Sequence, residues 1–139
     1  MDMTVTFPGN KRVDAQYKGF TIRTDQSAGN GGEASAPAPF DLFLASLATC
    51  AGIYVLEFCR HRSIPGENIR LVQKTERNSE TNMIEKISIE LFVPPEFPAK
   101  YKDAVIRAAQ LCSVKKHLFQ PPEFLVSVNI EEANKESSA

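Results

Sequence analysis

The sequence predicts an α+β fold with the element order βββ-α-ββ-α-β. Three observations carry that prediction. Apolar side chains alternate with period two in several short segments, one long segment from Pro39 is apolar almost throughout, and Pro- and Gly-rich breaks separate the pieces. Strands with few helices between them fit α+β better than a doubly wound parallel sheet. At 139 residues the chain is sized for one domain with a sizeable core. Residues 1–139 are therefore read as a single domain, with a loose polar tail at 133–139.

At the start of the chain Met3, Val5 and Phe7 alternate with Thr4 and Thr6. Pro8-Gly9 suits the centre of a type II turn, since Pro presets φ and Gly accepts positive φ. Val13, Ala15 and Tyr17 alternate with Asp14 and Gln16, and Lys18-Gly19 turns the chain into Phe20, Ile22 and Thr24. A three-strand meander follows. Residues 25–38, DQSAGNGGEASAPA, keep neither period and read as a loop of a length that is often functional or mobile. Pro39 then opens a helix at its first turn, with Asp41 at the positive end. Pro65-Gly66 stops that helix, near Arg62.

Beyond it, Ile69–Arg77 and Ile84–Val93 read as a hairpin around the polar turn 78–82. Pro94, Pro95 and Pro98 break the pattern, and a second helix starts near Ala99. A last strand carries Phe124, Val126, Val128 and Ile130 on one face.

From Leu42 to Leu56 the only non-apolar residues are Ser46 and Thr49. The run is shorter than the ~20 residues that span a bilayer, so a membrane span is not expected. A helix apolar on nearly every side needs cover on every side. One small sheet covers one side of it, and a second subunit is the simplest cover for the other. A homodimer is the expectation.

Sixteen Lys+Arg against seventeen Asp+Glu leave a net charge of −1, which points to neither nucleic acid nor an anionic membrane as partner. Three cysteines are too few and too odd in number for a disulfide scaffold and imply a reducing compartment. The first twenty residues read as strands and show no apolar leader segment. Cytoplasmic location is the resulting expectation.

The cysteines carry the candidate chemistry. At 100° per residue, Phe43, Ser46, Leu47, Ile53, Tyr54 and Glu57 fall within about 60° of Cys50. Cys59 lies about 180° away, on a stripe of small residues with Ala45, Ala48 and Gly52, which reads as a packing face. Cys112 closes the second helix, and Ser113-Val114-Lys115-Lys116-His117 follow it. Ser113 suits the cap of a new short helix, and nearby cations favour a thiolate. The plain alternative is that each cysteine packs as a small hydrophobe. Cys59-Arg60-His61 has two ligand types but no second pair, so no metal site is expected, and no fingerprint of a cofactor is present.

The stretch Pro37-Ala38-Pro39-Phe40-Asp41-Leu42-Phe43-Leu44-Ala45-Ser46-Leu47-Ala48-Thr49-Cys50-Ala51 resembles the signature of the OsmC/Ohr family, and Ala108–Lys116 resembles its second-cysteine segment. The resemblance implies an intertwined homodimer with long central helices packed between sheets. It also implies a thiol-dependent peroxidase that reduces organic hydroperoxides, with Cys50 peroxidatic, Cys112 resolving and an external dithiol as reductant. The family places a Glu after the leading Pro; here Phe40 stands there and Asp41 follows. It also places an Arg in the first hairpin, where this chain has Arg12. Phe43, Leu47 and Tyr54 are the candidate wall of an apolar substrate pocket. The alternative is a dimer of the same fold that binds a small ligand or senses redox state without turnover.

Overall fold

The computed structural model describes residues 1–132; the tail expected to be loose, 133–139, lies outside them. Three antiparallel strands open the chain, β1 (Thr4–Gly9), β2 (Arg12–Tyr17) and β3 (Phe20–Thr24), in the order β1-β2-β3. Helix α1 spans Pro39–His61, and β4 (Arg70–Arg77) and β5 (Ile84–Phe92) form a separate two-stranded sheet. Then come a 3₁₀ turn at Ala99–Tyr101, α2 (Lys102–Ala109) and α3 (Ser113–Phe119).

The mixed α+β class is as the sequence predicts, and the first six elements fall within a residue or two of their expected places. Three details differ. The first turn is centred on Asn10-Lys11 rather than Pro8-Gly9, because Gly9 is already paired with Arg12. The strand absorbs Pro8 through an irregularity between Thr6 and Gly9, as a residue without an N–H requires. Gly9 has φ +148°, and the Arg12 side chain lies 3.3 Å from where a Cβ would stand. The second turn is at Lys18-Gly19 as expected, both residues with positive φ, 51° and 80°. That pair is the type I′ signature, whose twist matches the flanking strands.

The second helix ends at Ala109, short of Cys112, and the expected new short helix, α3, begins at Ser113. Cys112, not Ser113, is its N-cap, and its sulfur accepts the Lys115 N–H at 3.4 Å. The expected last strand is not formed within one chain. Phe124, Val126, Val128 and Ile130 are 82–98% exposed, and residues 121–132 carry no assigned structure. A strand exists only where an edge receives its N–H and C=O groups, and among the described residues no strand of the same chain pairs with this segment.

The core sits at the C-terminal half of α1. Val55, Phe58, Cys59, Phe97 and Val105 are buried together, with Ile69, Leu71, Leu91 and Tyr101 packed against them. Each large apolar side chain removed from water contributes roughly 1.5–3 kcal/mol. Phe58 meets Tyr101 edge-on at 5.8 Å, and the Arg62 guanidinium lies 3.7 Å from the Phe58 ring centre. The buried stripe of α1 is Leu47, Ala51, Val55, Phe58 and Cys59, which faces β4–β5 and α2. The small stripe predicted as a packing face is not buried in one chain: Ala45 is exposed and Ala48 and Gly52 are half-buried. Only Cys59 of that group reaches the core.

The two polar residues of the apolar run are satisfied locally. Ser46 Oγ donates to Phe43 O at 2.7 Å and Thr49 Oγ1 to Ala45 O at 2.8 Å, turning back on the helix as hydroxyls do. With its 23 residues, α1 is long and apolar enough to cross a membrane by length and composition, and 28% of its most apolar window is buried. The β1–β3 sheet packs chiefly on itself, whereas α1 packs on α2, α3 and β4.

Candidate functional site

The long loop between β3 and α1 is pinned rather than slack, and it fixes where α1 begins. Asp25 is fully buried. One carboxylate oxygen accepts the Gln26 N–H at 2.7 Å; the other accepts the Ser35 hydroxyl and its N–H, the latter at 3.0 Å. The Asp25 N–H donates to Pro37 O at 3.2 Å. The Ser35 hydroxyl first, then the N–H groups of Ser35, Gln26 and Glu33, hold the Asp25 carboxyl down at about 2 against the opposing effect of burial. Two residues later Pro39 starts α1, and Asp41 Oδ2 accepts the Ala38 N–H at 3.0 Å. Asp41 thus serves the helix end.

Cys50 lies three helical turns into α1 and faces the start of α3. Its Sγ stands 3.5 Å from Ser113 Oγ. The thiol is drawn down from its ordinary 9.0 to about 7. The Ser113 hydroxyl is the main cause, followed by the Val114 N–H, with the Cys112 thiol and the Ser113 N–H contributing less; burial works the other way. All of these favourable contacts come from Cys112 and the first two residues of α3. The structure therefore sets Cys50 against the segment that carries Cys112, from elements far apart in sequence. Cys59 has the opposite environment: 1% exposed, it is pushed up by burial, with partial relief from Arg62.

The auxiliary candidates fall elsewhere. Arg12 is exposed at the β1–β2 turn, where its Nε donates to Gly9 O at 3.4 Å. It is not among the groups acting on the Cys50 thiol in this chain. Phe43, Leu47 and Tyr54 do not share one pocket. Leu47 lines a groove of about 630 Å³ between α1, β4–β5, α2 and α3, with Cys112 in its wall. Phe43 stacks on Phe40 at 5.4 Å and lines a second hollow with Arg77 and Met83. Tyr54, half-buried, lines neither of these hollows.

The 630 Å³ groove contains a residue that sequence reasoning missed. Gln73 Nε2 donates to Leu44 O at 3.0 Å, while its Oε1 is buried with no hydrogen-bond partner. A buried acceptor left unpaired costs about 1–3 kcal/mol. A signal was available: Leu71, Gln73 and Thr75 share one face of β4, so a Gln follows a core Leu on the inward side.

An α+β scaffold with Cys112 in the wall of an apolar groove and Cys50 against the next residue, Ser113, defines a small thiol protein, and the sequence comparison says which family. The pattern of the OsmC-like proteins matches residues 31–127, most of the chain; the chain belongs to the OsmC-like family. The sequence matches no curated protein. Among solved structures, similar folds include a protein of Psychrobacter arcticus 273-4 described as an osmotic stress induced and detoxification response protein. It has a TM-score of 0.70 at 23% identity, covering 82% of this chain and 85% of that one. An OsmC-like protein of Mycoplasma pneumoniae gives 0.66 at 15% identity, covering 86% and 87%. An organic hydroperoxide resistance protein OsmC of Legionella pneumophila gives 0.55 at 16% identity, covering 84% and 87%.

Proposed function

We propose that the chain is a cytoplasmic, homodimeric, thiol-dependent peroxidase that reduces organic hydroperoxides. One observation carries the reading: Cys50 Sγ stands 3.5 Å from the hydroxyl of Ser113, the residue next to Cys112, and the Cys50 thiol is lowered to about 7. Family membership and the name of the Legionella fold neighbour agree with a stress or redox role. Lowering the thiol toward neutrality favours the thiolate, the form that attacks.

The chemistry closes without a metal or cofactor. The Cys50 thiolate attacks the terminal oxygen of the hydroperoxide, the O–O bond breaks, and the alkoxide takes a proton and leaves as an alcohol. Cys50 is now a sulfenic acid. The Cys112 sulfur attacks it, water leaves, and a disulfide forms. An external dithiol reduces that disulfide by exchange and restores both thiols. The apolar groove beside Cys112 suits the organic part of the substrate better than hydrogen peroxide.

Small-ligand binding without turnover is the second reading, favoured by the unpaired Gln73 Oε1, an acceptor suited to an O–H or N–H of a bound molecule. Peroxide consumption with cumene hydroperoxide, tert-butyl hydroperoxide and hydrogen peroxide, each with several dithiol reductants, separates the two. Turnover that prefers the organic peroxides and is lost in Cys50→Ser is expected. No consumption with any reductant overturns the peroxidase in favour of the binder.

A further inference from the structure

We propose that Ser113 is a positioning residue for Cys50, its hydroxyl donating a hydrogen bond that holds the sulfur as a thiolate and fixes it against the segment bearing Cys112. The inference rests on the peroxidase reading for its biological meaning but not for its test. Ser113 Oγ and Cys50 Sγ are 3.5 Å apart although 63 positions separate them. A hydroxyl donor at that distance favours a charged acceptor over a neutral one. Among the causes that lower the Cys50 thiol none is a charged side chain, so hydrogen bonding does what a cation does elsewhere.

The placement of Ser113 explains why it reaches Cys50. The helix breaks after α2, Cys112 turns inward to cap α3, and Ser113, the first residue of α3, follows on the exposed side. One peptide unit thus carries both the Cys112 thiol and the hydroxyl that holds Cys50. Ordering the thiolate and presenting the second cysteine become a single geometric event. Three titratable side chains follow Ser113 in α3, Lys115, Lys116 and His117. Lys115 gives its backbone N–H to Cys112 Sγ at 3.4 Å, and His117 Nδ1 lies 2.6 Å from Ser113 O.

The test is the pH profile of iodoacetamide alkylation at Cys50, resolved by mass spectrometry in the full-length protein. The parent should show a midpoint near 7. Ser113→Ala should move it up by about one unit or more, a loss of about fivefold in the Cys50 alkylation rate at pH 7. Ser113→Thr, which keeps the hydroxyl, should restore the profile, and His117→Asn should leave the midpoint in place. Because Ser113 is exposed, circular dichroism should be unchanged in all three. Should Ser113→Ala perturb the fold, Ser113→Gly replaces it in the same comparison. A parent midpoint near 9, or a midpoint unmoved in Ser113→Ala, overturns the proposal. An upward shift in a protein that consumes no hydroperoxide upholds it and sinks only the peroxidase reading.

Discussion

The Asp25 carboxylate and Ser35 are joined twice, through the Ser35 hydroxyl and through its N–H at 3.0 Å. These bonds clamp the loop that delivers the chain to Pro39 and α1. The carboxyl is held at about 2, below its ordinary 3.8. Asp25 therefore stabilises the fold above the unfolded value, and its contribution is lost as the pH falls from about 4 to about 2. Melting temperature followed from pH 7 to pH 2 should drop across that window. In Asp25→Asn the drop should be shallower, by up to one proton's worth of slope, from a lower starting value at pH 7. An unchanged acid profile in Asp25→Asn would show that the clamp does not bear on global stability.

Cys50 should be the first cysteine oxidised. Limiting cumene hydroperoxide, a sulfenic-acid probe and peptide mass spectrometry should label Cys50 before Cys112 and leave Cys59 as a free thiol. Cys112→Ser should lengthen the life of the Cys50 sulfenic acid and abolish the disulfide. Rapid disulfide formation through Cys59 in that variant would make Cys59 the resolving thiol.

Asp41 should matter to the helix rather than to the reaction. Its carboxylate accepts the Ala38 N–H, and Cys50 lies nine residues on, roughly 13.5 Å along the axis. Asp41→Asn should cost about 0.3–1 kcal/mol of stability and leave the peroxide rate within about twofold. A tenfold fall in rate at unchanged melting temperature would place Asp41 in the catalytic machinery.

The protein should be an obligate dimer. In one chain Val126 is 98% and Ile130 93% exposed, and much of α1 is uncovered. Melting temperature should rise with concentration, each tenfold dilution costing about 1.4 kcal/mol per dimer. Val126→Lys and Ile130→Lys should weaken the assembly in sedimentation experiments. A compact, stable monomer at low micromolar concentration would contradict the dimer.

What could be read from sequence follows from which interactions are local. The period-two pattern at Ile87, Ile89 and Leu91 and the Pro39 start of α1 are near-neighbour signals, and both elements appear where expected. The end of the second helix at Cys112 and a new short helix at Ser113 were read from sequence, but the contact between Cys50 and Ser113 was not legible, because it joins residues 63 positions apart. The Asp25 clamp was hidden for a similar reason. An acid followed by GNGG and ASA reads as slack chain until the backbone N–H groups of 26, 33 and 35 converge on one carboxylate. The strand at 124–130 was read from a true pattern, but a pattern specifies a face and not a partner. Helical-wheel arithmetic separated Cys50 from Cys59, whereas the small stripe of Ala45, Ala48 and Gly52 is uncovered in one chain, since the faces of a wheel do not say which neighbour arrives.

The open edges of the two sheets and the uncovered segment at 124–130 also bear on how the protein is made. The β1–β3 sheet is synthesised before the apolar residues of 124–130 and packs chiefly on itself. Between those moments the chain displays unpaired strand edges together with Val5, Phe7 and Phe20 in the open, the combination that templates edge-to-edge aggregation. Soluble yield should then depend on synthesis rate and temperature, with slow, cool expression favouring recovery and fast, warm expression favouring inclusion bodies.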